Sequence, residues 1–412
     1  MIKRSVSLKK KIYIISTILI LEMLAVVGIL IYSKTMDKTI QTESHSIIIG
    51  NTENVLALAT DTQEPAVDIK EDEQILEAIE EQTMEEEQAL EDEEQALEVG
   101  VQALEDEEQV SVYDTITISA AGDVTLGRDL SFQYNGSFDH EFEAQNNDYG
   151  YFFRNVKEIF EKDDITIVNL ETTLTTATKA AEKKFRFIAD PSYVDIIKEG
   201  DIEAVSIANN HTMDYLQQGY DDTLSALDQA DIGYFGYEHQ YITEVRGIKV
   251  GILGYTGWAV SEDQKETIKQ AIDGLKEEGA SIVIVMFHWG IEREYSSYSV
   301  QQDIAHFTID SGADLVLGSH PHVLQDVEEY KGKKIVYSLG NFCFGGNKNP
   351  EDKDSMILVH KFNFKDGELI TEESEIIPCS ISSVKSRNNY QPTPLEGEEK
   401  DRVLQKIEDN GK

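Results

Sequence analysis

Residues 312–323 read GADLVLGSHPHV. The apolar run Leu315, Val316 and Leu317 stops at Gly318, and Ser319, His320 and His322 follow at once. A short apolar run bounded by glycine and polar residues predicts a buried strand. The pattern recurs upstream. IVIVMF at 282–287 runs into His288, Trp289 and Gly290. EAVSIA at 203–208 runs into Asn209, Asn210 and His211, with Asp214 just beyond. ITIVNL at 165–170 meets Glu171, and TITISAA at 115–121 meets Gly122 and Asp123. KVGILG at 249–254 and the segment 334–339 read as further strands. Amphipathic stretches at 150–161, 191–199, 217–230, 263–278 and 300–311 alternate with these runs, which predicts an α/β fold. Farther on, SMILVHKFNF and ELITEESEII meet at Asp366-Gly367, a hairpin signal.

In open α/β sheets, ligands bind outside the carboxyl ends of the strands. Asp, Glu, Asn and His side chains from five strand ends therefore converge on one rim. Carboxylate, carboxamide and imidazole together suit a first-row divalent metal. His320 and His322 form the most specific pair, because alternate residues of an extended turn project to the same side. Cys343 and Cys379 are the only cysteines, which excludes a disulfide scaffold and a Cys-rich zinc or iron–sulfur site. One disulfide between them stays open.

Seven motifs occur in order: AAGDVTLGR, IVNLETTLT, FRFIADP, SIANNHTMDY, FHWGIEREY, GADLVLGSHPHV and YSLGNFCF. Over 114–378 they resemble the capsule and poly-γ-glutamate biosynthesis (CapA-like) family, which is related to the calcineurin-like metallophosphoesterases. The resemblance implies a β-sandwich flanked by helices, with a two-metal site. It implies that Asn210, His288 and His320 hold one ion together with Glu171, the bridging carboxylate. Asp123 and His322 hold the other, and the ions implied are manganese, zinc or iron. His211 is implied as the acid that protonates a leaving group or steadies developing charge. Three positions depart from the phosphoesterase pattern. The first-strand Asp-x-His is Asp123-Val124-Thr125, the bridging Asp is Glu171, and the first His of Gly-His-His-Pro-His is Ser319. One tight and one weak ion fit these departures. The chemistry implied is metal-assisted hydrolysis or group transfer. Arg128 and Arg186 are candidates for holding an anionic substrate group. Trp289 and Tyr295 are candidates for lining the site, with core packing the alternative for Trp289.

The formal net charge is −42, which excludes nucleic-acid binding through a basic face. Residues 51–110 alone hold 22 Asp/Glu against Lys70. Before them, residues 12–33 are almost wholly apolar, about 33 Å as a helix, enough for a hydrocarbon core of roughly 30 Å. Lys3, Arg4, Lys9, Lys10 and Lys11 precede this run and predict a cytoplasmic N-terminus. Glu22, near mid-span, is a candidate for pairing with another membrane subunit. QALE repeats at Gln88, Gln95 and Gln102, too acidic for a coiled-coil seam.

The expected organisation is a basic tail at 1–11, a transmembrane anchor at 12–33 and an acidic stalk at 34–113. A metallophosphoesterase-like domain at 114–385 and a polar tail at 386–412 follow. The expected function is a membrane-anchored extracellular factor in synthesis, export or anchoring of an anionic capsule polymer such as poly-γ-glutamate. The alternatives are a surface metallophosphoesterase and a non-catalytic assembly subunit. The expected partners are the membrane, other membrane subunits, and an anionic polymer or phosphoester.

Overall fold

A computed structural model describes residues 114–411. The basic tail, anchor and stalk expected at 1–113 lie outside the described residues. Among those described, no helix is long and apolar enough to cross a membrane. The elements in chain order are β1 (Asp114–Thr125), β2 (Arg128–Asp129), α1 (Phe138–Ala144), α2 (Lys157–Phe160), β3 (Ile165–Leu170), β4 (Thr173–Leu174), β5 (Phe187–Ala189), α3 (Val194–Glu199), β6 (Ala204–Ser206), α4 (Leu216–Ala230), β7 (Gly233–Phe235), β8 (Tyr241–Val245), β9 (Ile248–Gly257), α5 (Glu262–Glu277), β10 (Ile282–Trp289), α6 (Ser299–Asp310), β11 (Leu315–Ser319), β12 (Val327–Tyr330), β13 (Lys333–Val336), β14 (Asn341–Phe344), β15 (Asp354–Lys365), β16 (Glu368–Ser380), β17 (Thr393–Pro394) and α7 (Gly397–Asn410).

One sheet runs β17-β16-β15-β1-β3-β6-β7, with β14 also paired to β1. A second runs β12-β13-β11-β10-β9-β8, and a small third runs β2-β5-β4. Side-chain alternation explains how the large sheets stack. In β10, Ile282, Ile284 and Met286 pack with Ile116 and Ile118 of β1 and Ile167 of β3. The residues between them, Val283, Val285 and Phe287, pack on Ile268 and Ile272 of α5 and Ile304 of α6. The far face of the first sheet packs Val168 and Val205 against Phe138, Ile196 and Leu227 of the other helices. The result is four layers, helix–sheet–sheet–helix, with apolar residues on both faces of each central strand. The expected mixed α/β fold, a β-sandwich flanked by helices, is what the chain forms. Asp366 and Gly367 turn the β15–β16 hairpin with φ of 56° and 83°, as an Asp-Gly turn prefers.

The segment 386–411 differs from the expected polar tail. Tyr390 is fully buried and its hydroxyl donates to the Gly136 carbonyl at 2.7 Å. Helix α7 puts Val403 and Ile407 into the inter-sheet core, while Arg402 and Lys406 pair with Asp354. Two apolar residues four apart make a stripe too narrow to register against the surrounding charge. Cys343 and Cys379 are both buried and unbonded.

A pH-dependent strain sits at the start of β3. Glu203 accepts from the Thr166 amide at 2.7 Å. Burial, with Asp163 and Asp201 nearby, raises its pKa to about 7. A carboxyl raised in the folded state favours folding fully below its unfolded value and loses that contribution as pH rises through 7. Glu203→Gln keeps the acceptor and removes the charge. Its melting temperature should match wild type near pH 4.5 and exceed it by about 2–4 °C at pH 8. Equal midpoints at both pH values would show that Glu203 ionises freely.

Candidate metal centre

Strand register delivers the polar residues to one place. His288 continues the inward series Ile282, Ile284, Met286. In β1 the pairing with β3 slips between Ala120 and Asp123. Such a bulge re-aims the residues after it, and here Asp123 shares the inter-sheet side with His288. Gly122 allows the approach: a Cβ there would lie 1.8 Å from the Gly340 carbonyl oxygen. The Asp123 amide donates to that same oxygen at 2.9 Å.

Two ligand groups result, and they share one carboxylate. Glu171, His288 and His320 form the first; Asp123, Glu171 and His322 form the second. Within each group one ligand atom per residue lies within 4.8 Å of the others. His288 Nε2 is 3.6 Å and His322 Nε2 3.8 Å from Glu171 Oε1, and His322 Nδ1 is 3.1 Å from Asp123 Oδ2. Asn210 Oδ1 adds a carboxamide 2.8 Å from His288 Nε2. Both Glu171 oxygens are buried without a hydrogen-bond partner. A buried acceptor left bare costs about 1–3 kcal/mol, more when charged. A cation between the two groups would answer both oxygens, so the donor set fits a divalent ion.

A second layer of residues, which the sequence reading left out, holds these side chains. Asn169 Nδ2 donates to Asp123 Oδ1 at 2.8 Å, and Asn209 Nδ2 donates to Asn169 Oδ1 at 3.1 Å. Ser319 Oγ lies 3.0 Å from His288 Nδ1 and donates to the Phe287 carbonyl at 3.3 Å. Ser319, where the family pattern has histidine, thus holds the His288 ring at Nδ1, which Asn169 Nδ2 also approaches at 3.2 Å, and turns Nε2 toward Asn210 and His320. Asn341 Oδ1 holds His322 Nδ1 at 2.9 Å. Amides and hydroxyls of this kind give no periodic signal; only adjacency to a strand end marks them.

The His-Pro-His turn works differently from an extended one. His320 and His322 have φ of 97° and 58°, and their rings stand 5.8 Å apart at 52°. They serve the two different ligand groups. Positive φ in bulky residues is strained, and such strain collects at functional sites.

Electrostatics divide the imidazoles. Burial pushes His288 well below its usual pKa and His320 down to about 4, so both are neutral donors. Burial alone would lower His322 too, but Glu171 and Asp123 beside it reverse that and raise it to about 10. Burial and the Asp123 charge raise Glu171 well above the carboxylate range.

His211 stands at the edge of both groups, its Nε2 3.8 Å from Glu171 Oε1. Its ring stacks on Phe187 at 4.2 Å. Its Nδ1 meets Asp214 Oδ2 at 2.6 Å, and Lys183 Nζ meets Asp214 Oδ1 at 2.7 Å. Burial lowers the His211 pKa, Asp214 raises it and Lys183 lowers it, with a net fall. The resting ring is neutral, donates from Nδ1 and turns its Nε2 lone pair toward Glu171.

A cavity of about 670 Å³ opens beside His211 and His322. Arg128 borders it but is held: Nε donates to Asp139 at 2.8 Å and Nη1 to two main-chain carbonyls. It is a strut between β2 and α1. Arg186 does not border the cavity, although its neighbours Phe185 and Phe187 do. It stands just before β5, its amide donating to Asp129 Oδ2 at 2.8 Å, and its absence from the cavity corrects its placement as a substrate residue. Arg293, in the expected motif FHWGIEREY, is the arginine that opens onto the cavity without an ion pair. Tyr295 also borders it, whereas Trp289 is fully buried core, its Nε1 donating to the Tyr337 carbonyl.

The arrangement defines a four-layer α/β protein with a candidate divalent-metal centre at its strand ends. Residues 117–346, more than half the chain, match the model for the bacterial capsule synthesis protein PGA_cap, and the chain belongs to that family. The capsule biosynthesis protein CapA of Bacillus anthracis is 29% identical over 275 residues, 60% of this chain and 64% of that one. The chain therefore spans just under two thirds of that relative. The PGA biosynthesis protein CapA of Bacillus subtilis is 27% identical over 319 residues, 72% of this chain and 81% of that one. Among solved structures, a novel phosphatase from Mycoplasma pneumoniae aligns at 16% identity and a TM-score of 0.41, covering 65% of this chain and 95% of that one. At that distance the likeness says nothing of activity.

Proposed function

We propose that this chain is a membrane-anchored extracellular factor in the synthesis, export or anchoring of a capsule polymer of the poly-γ-glutamate kind, acting through the divalent-metal centre around Glu171. Family membership supports the capsule role. The observation that carries the metal reading is the pair of buried, bare Glu171 oxygens where two ligand groups meet. Glu171, Asn210, His288 and His320 would hold one ion, and Asp123, Glu171 and His322 would hold the other. A bound ion supplies an acidified water and polarises the scissile bond. His211 would take at Nε2 the proton of the attacking water and pass it to the leaving group as the scissile bond breaks, while Asp214 keeps its ring oriented. A surface phosphoesterase is the second reading, favoured by the single carboxylate shared between two ligand groups, an arrangement suited to two-ion hydrolysis.

The test is metal analysis and manganese, zinc or iron titration of the full-length protein, followed by a panel of γ-glutamyl and phosphoester substrates. At least one ion per chain is expected, and none at saturating metal would sink the reading. The pH dependence is specific. The Glu171–His322 pair holds a proton in the ion-free protein, since both groups are raised, and must lose it to ligate. The affinity of the Asp123/Glu171/His322 group should therefore rise with pH between about 6 and 9, approaching tenfold per unit. A flat affinity over that range would count against His322 as a ligand.

The basic cluster before residues 12–33 supports an N-in, C-out topology. Protease added to intact cells should remove the folded unit. Its survival until lysis would reverse the orientation.

A further inference from the structure

Seven arginines lie among the described residues. Arg128, Arg154, Arg246, Arg387 and Arg402 each pair with a carboxylate. Arg186 and Arg293 do not, and of these two only Arg293 borders the cavity. In a chain of net charge −42, carboxylates to pair with are plentiful, so an unpaired guanidinium at a cavity mouth is available for a ligand. Its backbone is fixed rather than loose. Arg293 has φ of 67°, an uncommon conformation for a long side chain, and its amide donates to the Pro321 carbonyl at 2.8 Å. Pro321 lies between His320 and His322, so the arginine is tied to the turn that carries two candidate ligands. The cavity it borders is mixed in character, with the rings of Phe132, Phe185, Phe187 and Phe344 on its walls and Lys348 as a further cation.

We propose that Arg293 holds an oxyanion group of the substrate, a carboxylate or phosphate, in the cavity beside the metal centre. This rests on the function proposed above and narrows its substrate. Glu292 and Glu351 share the cavity, while Asp352 is neutralised by Lys406 at 2.6 Å. Those two glutamates repel a densely charged chain. The cavity therefore takes a short chain end or a monoester with one free oxyanion near Arg293, and excludes the interior of a long polyanion.

The experiment measures binding of tri-γ-glutamate and of inorganic phosphate to full-length protein by calorimetry, in manganese, with manganese affinity titrated separately. Arg293→Ala should weaken one or both anions about tenfold and leave manganese affinity unchanged. Arg293→Lys should recover only part of the loss, because a point charge cannot bind bidentately. Loss for tri-γ-glutamate alone assigns the carboxylate source, and loss for phosphate alone assigns the phosphate source. Equal affinities in wild type and Arg293→Ala overturn the proposal. So does wild-type protein that binds manganese but neither anion. If manganese fails to bind while Arg293→Ala still loses the anion, the metal reading fails and the Arg293 site stands.

Discussion

Replacing Glu171 with Gln should raise the melting temperature of metal-free protein and abolish the further rise that manganese brings to wild type. Both effects follow from one observation. The Glu171 side chain is fully buried, and neither oxygen has a hydrogen-bond partner. Burial and the Asp123 charge disfavour its ionised form. A buried carboxylate with no hydrogen bond costs several kcal/mol, part of which His322 at 3.8 Å offsets, whereas a neutral amide of the same shape costs about 1–3 kcal/mol at most. The midpoint should therefore climb by about 2–6 °C in the presence of chelator. Wild type regains more when the ion binds, about 2.7 kcal/mol at metal a hundredfold above its dissociation constant. The Gln variant cannot, because both ligand groups pass through this one side chain. His320→Ala, by contrast, should lose only the ion of the first group, and His322→Ala only that of the second. A metal-free midpoint that falls in Glu171→Gln would show that the carboxylate is already satisfied, and the metal reading would lose its support.

The strand ends were legible because the pattern is local. An apolar run broken by Asp, Glu, Asn or His marks both a strand and the place where it stops, and Asp123, Glu171, Asn210, His288, His320 and His322 all lie together in the structure. What stayed hidden depends on contacts distant in sequence. Asn169 sits inside β3 and reads as a polar interruption until β1 and β10 bring Asp123 and His288 to it, and Ser319, at the end of β11, shows its role only once β10 is beside it. Strand β14 carries Asn341 to His322 by pairing with β1 across more than 200 residues, and no nearby signal announces that partner. Arg128 was readable as a free cation only while Asp139 was unseen. Arg293 lay within a quoted motif, but its lack of an ion pair is a property of the fold. The narrow Val403–Ile407 stripe of α7 was masked by the charges around it. The reading of 1–113 concerns residues outside those described.

The remaining large effect concerns proton transfer rather than metal. Asp214 is fully buried and accepts from Lys183 Nζ at 2.7 Å and the Phe187 amide at 2.6 Å. Its third partner is His211 Nδ1 at 2.6 Å. Three donors fix the carboxylate, and the carboxylate fixes the tautomer, leaving Nε2 as an acceptor toward Glu171. Asp214→Asn keeps the shape but sets an amide N–H against one of those donors. The imidazole then relieves the clash by taking the other tautomer, with Nε2 protonated and unable to accept. In the proposed hydrolysis, turnover should fall about 10²–10⁴-fold, in kcat more than in KM, because ground-state contacts with substrate are untouched. His211→Ala should lose about as much, and the double variant no more than either alone, since the two residues act as one unit. Manganese affinity should hold in all three, because neither side chain belongs to a ligand group. Additive losses in the double variant would show that Asp214 acts on something other than His211. Full turnover in His211→Ala would reduce that ring to a packing partner of Phe187.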